Sequence, residues 1–575
     1  MRPVRRSRWL IGVGVIAAVT ASACSSSSKS SSAGGGGGGS SSSGSNTTAG
    51  GSAKSGGVFK LGIVEPTAID PWNAQESEGQ NVEKVLFDGL VLVDSQTAKL
   101  KPGVATTWDK NADCTQWTFH LGASKFSSGE DVTAQSFIDG MNRAARLKSA
   151  SDTATFMSDI KGFTDVHGGD DPKASPPTAQ TMSGATAPDP KTLAVALSTP
   201  NCEFDKVTVQ PVYSPVPKGT ADPDATKTTP YQDQPIGNGP FMMKGPWQHK
   251  SAITLVRNPT YTGSRPAHLD EVDYTILPDS SGVQDEYKGF QANTFDFARI
   301  PPELQPQAKS QYSPQSEFIH QLGYGINYLG VQVKGAPFGP NSSDQARMAR
   351  LAISEAIDRP SITQGVFNGL ETPATAIIPP PFKDYYQPDA ACGSACKFDV
   401  TQAKKDAAAG GLTPGTKIIL EFNTGGGHES WTSAVCDQVQ KNLGVTCTTQ
   451  GTSFKQLLKD EKSPTGTGLF RAAWSADYPS PIDFLYPLLG TGSGDNRGKY
   501  SSPAFDQLLA QAKATPDDAT RVKLVQQAEQ MAIGHDMGLV PLWYRDQYRV
   551  INSKKFKGIA LDFFENPTLS DISLA

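Results

Sequence analysis

Arg471-Ala-Ala-Trp474-Ser-Ala-Asp477-Tyr478-Pro479-Ser-Pro-Ile-Asp-Phe-Leu485 is the stretch whose reading decides the fold. It places one carboxylate between two aromatics, closes with two prolines and follows a short apolar run preceded by glycines. Pro479 and Pro481 bias the backbone away from helix, so Asp477 is expected where a buried strand gives way to a turn. An acid in that position is a turn residue, a structural partner of Arg471 or a ligand anchor. The rest of the chain bears on the choice.

The chain has 575 residues, too many for one core, so two or three lobes are expected. Its composition, 37% hydrophobic and 19% charged, suits a soluble globular body with polar low-complexity sequence added. Lys and Arg number 52 against 57 Asp and Glu, and a net charge of −5 gives no reason to expect nucleic acid or a polyanion. Beyond the N-terminus no apolar run reaches membrane-spanning length.

At that N-terminus Arg2, Arg5, Arg6 and Arg8 precede an apolar stretch, Trp9 to Val19, and the small residues Ala21-Ser22-Ala23 before Cys24. Residues 1–23 therefore read as an export signal. Cys24 resembles the invariant cysteine of a bacterial lipobox, which implies lipid attachment there; a cleaved signal with an incidental cysteine is the alternative. Residues 24–56 are almost entirely Ser, Gly, Ala and Thr, with only Lys29 and Lys54 charged, and cannot form a core. Such a tether has a root-mean-square reach of roughly 30 Å.

Six further cysteines remain: Cys114, Cys202, Cys392, Cys396, Cys436 and Cys447. An even number in an exported chain suggests disulfides, with fifteen pairings open. Spacing favours a small loop for Cys392–Cys396 and a clasp between a helix and the next strand for Cys436–Cys447. Cys114 and Cys202 would meet if the strands Trp117–Leu121 and Leu193–Leu197 paired antiparallel. Zinc is not favoured, because no histidine lies near the Cys-x3-Cys pair.

Periodicity predicts a strand at Val58–Val64, a helix over Asn81–Leu90 and a helix with Phe137, Met141 and Ala144 on its core face. Further on it predicts a strand over Ile253–Tyr261, helices at Ser343–Ile357, Trp431–Leu443 and Asp517–His535, and the strand Gly538–Tyr544. Strands and helices mix irregularly, so the class is α/β with several sheets rather than a repeat. Neither His-Glu-x-x-His nor Gly-x-Ser-x-Gly occurs, and the seven histidines are scattered. The Gly425-Gly-Gly427 loop lacks the Lys-Ser/Thr of a phosphate cradle. No catalytic residue, cofactor or metal is expected; a secreted peptidase, the enzyme alternative, would cleave peptides that a binding protein returns intact.

Several blocks, in order over residues 57–575, resemble the peptide- and nickel-type extracytoplasmic solute-binding proteins of ABC importers. Asn111–Leu121 with Lys125-Phe-Ser-Ser-Gly129 and Val132-Thr-Ala134 is one block. Pro235-Ile-Gly-Asn-Gly-Pro-Phe241 with Arg257-Asn-Pro-Thr-Tyr261 is another. Ala349-Arg-Leu-Ala-Ile-Ser-Glu-Ala-Ile-Asp-Arg359, Tyr500-Ser-Ser-Pro-Ala-Phe-Asp-Gln-Leu-Leu509 and Val540-Pro-Leu-Trp-Tyr544 complete the set. The resemblance implies a large periplasmic-binding-protein-like fold (type II, cluster C-like), with two main lobes and an extra subdomain around a ligand cleft. Lobe I would comprise 57–78, 201–322 and 543–575, the extra subdomain 79–200, and lobe II 323–542. It also implies an ABC permease and ATPase as partners, a membrane reached through the lipid anchor at the extracytoplasmic face, and a monomer.

Arg471–Pro481 is most similar to the oligopeptide binders of this family. The resemblance makes Asp477 the anchor for a peptide's α-ammonium and Ala473, Trp474 and Ser475 the backbone that meets a bound strand, with Tyr478 beside them. Glu65-Pro66-Thr67 matches the opposite side of the cleft, although Pro66 donates no N–H. Arg471 and His428 match positions that meet the ligand's carboxylate, and Lys462 falls where a second family arginine sits. The chain departs from the pattern at Asp139 (a tyrosine in the best-known members), at Ser475 (a cysteine) and over 360–382, which lacks the carboxylate-binding lysine. The alternatives are Arg471 as a structural partner of Asp477 and His428 as an exposed loop residue. A sugar stacked on Trp474, Trp431 or Trp72, an opine, a metal complex, or a receptor or adhesin role on the same fold are the alternatives.

Overall fold

The chain enters its body as β1 (Val58–Val64), where Phe59, Leu61 and Ile63 are buried at every second position, the period of a strand. The computed structural model describes residues 54–575 except 75, 96, 150, 170–174, 224–228, 279–280, 425–426 and 462–467. The export signal, Cys24, Gly425, Gly426 and Lys462 lie outside the described residues. Lys54 bridges to Leu574 and the Gly56 N–H donates to His268 C=O, so the last residues of the Ser/Gly-rich stretch already belong to the body.

α1 (Ser77–Leu86) begins and ends four residues before the predicted helix, because Phe87 turns extended at φ −125°, ψ 142°. Val82, Val85 and Leu86 still face the core, and Leu90 joins it from the extended segment beyond. A four-stranded antiparallel sheet follows, built from β2 (Ala105–Lys110), β3 (Gln116–Leu121), β4 (Ala185–Asp189) and β5 (Thr192–Ala196) in the order β2-β3-β5-β4. α2 (Ala134–Ala145), started by a Thr133–Ser136 capping box, lays Phe137, Met141 and Ala144 against Trp117, Phe119, Leu193 and Val195. Antiparallel pairing of Gln116 with Ala196 brings Cys114 and Cys202 to a Cα–Cα distance of 4.9 Å, and they are disulfide-bonded.

The main sheet adds β6 (Phe241–Met243), β7 (Ala252–Arg257), β8 (Glu271–Leu277), β9 (Phe297–Arg299), β10 (Phe318–Val331), β11 (Lys417–Asn423), β12 (Thr446–Thr452), β13 (Gly468–Ser475) and β14 (Leu539–Ile551). Their order is β12-β11-β13-β10-β14-β9-β1-β8-β7-β6, with Thr372–Pro373 paired beside β14. Two large hydrophobic cores attach to it, beside a smaller one that packs Tyr287, Phe290 and Tyr312 against Ala298, Tyr548 and Val550. One spans the β10–β14 half with α3 (Asp344–Glu355), α4 (Glu429–Leu443), α5 (Ile482–Leu489), α6 (Pro503–Ala514) and α7 (Asp518–Glu529). The other surrounds β1 and β6–β9. Cys436–Cys447 ties α4 to β12, and Cys392–Cys396 closes a short loop.

Three predicted boundaries move. The strand expected to reach Tyr261 ends at Arg257; the last long helix leaves α geometry at Gln530 and finishes as a π segment through His535; and β14 runs on to Ile551. The prolines after Asp477 do not keep helix away either. α5 starts at Ile482 directly after Pro481, whose φ of −63° is already helical, since a proline at a helix start loses no hydrogen bond. That places Asp483 on the first turn of a helix. β10 and β14, the two long strands shared by both halves of the sheet, lose register between Leu322 and Ile326. Gly323 and Gly325 sit in this bulge, where an added Cβ would fall 2.7 Å from Arg545 O or 2.9 Å from Trp474 O.

Candidate functional site

β13 carries the site, and its two edges differ. The Gly468 C=O accepts from Gln332 N–H at 2.9 Å and the Ala476 N–H donates to Tyr324 C=O at 2.8 Å, so even-numbered residues turn their peptide groups toward β10. Trp474 belongs to that set; its backbone groups are committed to the sheet and are not available to a bound strand. Leu469, Arg471, Ala473 and Ser475 turn theirs the other way. β11 pairs on that side only from Gly468 to Phe470. Beyond it the peptide groups of Ala473 and Ser475 have no strand partner among the described residues, leaving a short open edge.

The edge ends in a pair of acids. Asp477 donates its backbone N–H to Asp483 Oδ2 at 2.7 Å, and its carbonyl accepts from the Gln210 side-chain amide. Among the described residues nothing hydrogen-bonds to its half-buried carboxylate. Burial raises this carboxyl to about 7, partly offset by the Lys84 ammonium. Asp483 is fully buried, accepts also from Trp474 Nε1–H at 3.4 Å and leaves Oδ1 without a partner. Burial, and then the Asp477 charge, push Asp483 well above the carboxylate range. Two such carboxyls without a bound cation form a site that a cation would relieve.

At the other end, where β11 and β13 part, Arg471 Nε donates to Asn423 Oδ1 at 2.6 Å. His428 precedes α4 and accepts on Nδ1 from Trp431 Nε1–H at 3.1 Å, which puts its own proton on Nε2. Burial, then the Arg471 charge, lower His428 to about 4, so it is a neutral donor near pH 7. His428 is therefore half-buried rather than an exposed loop residue. Arg471 makes no ion pair with Asp477 among the described residues, and it reaches the Asn423 amide oxygen instead.

The remaining expected residues are placed less favourably. Ser475 Oγ is taken by Arg545. Tyr478 packs edge-on against Phe156, its ring centroid 6.3 Å away, and so joins the core of the four-stranded sheet. Glu65 accepts from His249 Nδ1 and from the Lys250 N–H, both at 2.9 Å, and Thr67 gives its N–H to Glu76 at 2.6 Å. Glu65-Pro66-Thr67 thus has no uncommitted backbone N–H at Pro66 or Thr67 to offer. Trp431 and Trp72 are buried, 3% and 7% exposed, and cannot act as stacking platforms; Trp474 alone of the three is half-buried.

Asp483, Gln210, Lys84 and Arg545 were not singled out from the sequence. Asp483 had a signal, since it lies inside the quoted stretch, but the prolines argued against the helix that turns it back. The other three reach the site from distant segments. No group of three or more His, Cys, Asp or Glu suited to a metal occurs among the described residues, and no helix there is long and apolar enough to cross a membrane.

An open strand edge and a desolvated acid thus meet at one end of β13, with a neutral donor at the other. Residues 99–496 match the family model of the bacterial extracellular solute-binding proteins, family 5, and the chain belongs to this family of ABC-importer binding proteins. It is 31% identical over 500 residues to the periplasmic oligopeptide-binding protein OppA of Salmonella typhimurium, covering 85% of this chain and 87% of that one. It is 27% identical to the dipeptide-binding protein DppE of Bacillus subtilis, over 86% and 88% of the two chains. The murein tripeptide binding protein MppA of Escherichia coli has the same fold, with a TM-score of 0.72, 25% identity and coverage of 91% and 98%. The architecture is the type II periplasmic-binding-protein fold.

Proposed function

We propose that this protein is the lipid-anchored, peptide-capturing subunit of an ABC importer, which closes on an oligopeptide and delivers it to a membrane permease. The observation that carries the reading is the desolvated Asp477 carboxyl at the end of an unpaired strand edge. A peptide supplies what both features lack. Its backbone adds to the Ala473 and Ser475 edge as a further strand, which gives affinity without reading side chains. Its α-ammonium meets Asp477 in a charge-assisted hydrogen bond that strengthens as water leaves. Arg471 and His428 receive the terminal carboxylate, one as a charge and the other as a neutral donor.

The lobes that would close are 57–78 with 201–322 and 543–575 on one side and 323–542 on the other, with 79–200 as the extra subdomain. The bulge of β10 at Gly323–Gly325 is the hinge this division requires. The names of the relatives agree with a peptide ligand. Burial of Trp431 and Trp72 disfavours the sugar reading. Cys24 supplies the anchor and residues 25–53 the tether.

Native mass spectrometry of the mature protein tests the ligand class directly. Peptide masses released on denaturation are expected; a hexose mass would reverse the assignment. Palmitate labelling lost in Cys24→Ala is the expected sign of the anchor.

A further inference from the structure

A cavity of about 110 Å³ opens between α1 and the C-terminal segment. Lys84, Val209, Arg265, Asp562, Phe564 and Asn566 are among its walls. Lys84 joins this cavity to the anchor. Its Nζ donates to Val209 C=O at 3.2 Å and lies 3.8 Å over the Phe564 ring, while the next residue, Gln210, holds the Asp477 carbonyl. An ammonium has three donors, and Val209 uses one.

Resting on the peptide reading above, we propose that this cavity receives the side chain of the ligand's first residue and that Lys84 makes it select a carboxylate there. Val209 lines the cavity and the next residue, Gln210, holds the Asp477 carbonyl, so a ligand whose ammonium lies on Asp477 starts next to this wall. Lys101, a second cation on the wall, is half-exposed and lies 3.9 Å from Asp94, and the remaining charges around the cavity are already engaged. Arg265 donates Nε to Asp88 at 2.7 Å and Nη2 to Phe87 C=O at 2.7 Å. Asp562 accepts the N–H groups of Phe564 and Asn566, both at 2.9 Å, and Glu83 accepts the Ser214 hydroxyl at 2.8 Å. Burial raises both acids, Asp562 to about 6, so they present less negative charge than their number suggests. Asp571, also on the wall, is exposed and screened by solvent. The Asn566 amide nitrogen is buried without a partner. Lys84, itself lowered by burial, is the group an arriving carboxylate would stabilise.

The test compares Glu-Ala-Ala, Gln-Ala-Ala and Lys-Ala-Ala by calorimetry on the wild-type protein and on Lys84→Met and Lys84→Arg. We expect Glu-Ala-Ala to bind about tenfold more tightly than Gln-Ala-Ala, the scale of one charge-assisted hydrogen bond, with Lys-Ala-Ala weakest. Lys84→Met should remove the preference and Lys84→Arg should keep it, which separates charge from folding. Equal wild-type affinities for the three peptides, or a preference that survives in Lys84→Met, would overturn the subsite and leave the peptide reading standing. A wild-type protein that binds none of the three would overturn the peptide reading and the subsite together.

Discussion

The two ends of the open β13 edge handle charge in opposite ways. At one end Asp477 and Asp483 are desolvated together, one carboxylate lacking any hydrogen bond among the described residues and the other with an unpartnered oxygen. At the other end Arg471 already donates to Asn423, and His428 is held neutral on the Trp431 indole. The first end is left unsatisfied until a cation arrives; the second is largely satisfied before any ligand binds. Buried unpaired charge is costly, whereas exchanging one hydrogen-bond partner for another changes little. Most of the affinity for a peptide should therefore come from its ammonium.

Replacing Asp477 tests that asymmetry most severely. Asp477→Asn should weaken binding of peptides with free N-termini by about 2–5 kcal/mol, the usual penalty for leaving one partner of a buried charge pair. Calorimetry showing unchanged affinity would remove Asp477 as the anchor. Proton linkage gives the next largest effect. With the empty carboxyl at about 7, ammonium binding expels a proton at lower pH, so affinity should fall roughly tenfold per pH unit as pH drops below 7. A flat profile from pH 5 to 7 would mean that the ammonium does not meet this group.

At the carboxylate end, a double-mutant cycle pairing Arg471→Gln with a C-terminally amidated peptide should return a coupling of only about 1 kcal/mol. A coupling larger than the Asp477 effect would invert the comparison. His428→Asn should cost about threefold or less, because a neutral donor contributes a single ordinary hydrogen bond. Its effect should also be the same at pH 5.5 and 7.5, as His428 titrates near 4.

The smallest effect concerns the empty protein. Asp477 has a folded pKa raised above its unfolded value of roughly 3.9, so the folded state holds a proton that the unfolded chain has released. This group's contribution to stability is thus greatest at low pH and lost as pH rises through about 7. Thermal denaturation without ligand should find Asp477→Asn melting above the wild type at pH 8, with the gap closing toward pH 5. An anchor that destabilises the empty protein is the stability counterpart of the binding asymmetry.

Of the site itself, the position of Asp477 after a buried strand was legible, because the apolar run and the following turn are local. Cys114 and Cys202, 88 residues apart, could be matched only on the condition that two alternating strands pair, and the tertiary structure meets that condition. Asp483 was passed over, since proline's helix-breaking effect holds in a helix interior and reverses at a helix start. Lys84, Gln210 and Arg545 were missed altogether. Gln210 reaches Asp477 across 267 residues of chain, a contact no periodicity encodes.

By itself, then, the sequence determined what depends on near neighbours along the chain: the α/β class, the ordered family blocks and the place where one strand ends in an acid. Tertiary structure decided what depends on burial and on partners from afar. It turned Ala473 and Ser475 outward and Trp474 inward, closed the Asp483 carboxyl away from water and brought Lys84 beside the anchor. Desolvation belongs to no single residue. It arises where the core that includes Ala476 meets the core against which Tyr478 packs, and for that reason the charge state of the site could not be read from the residues that form it.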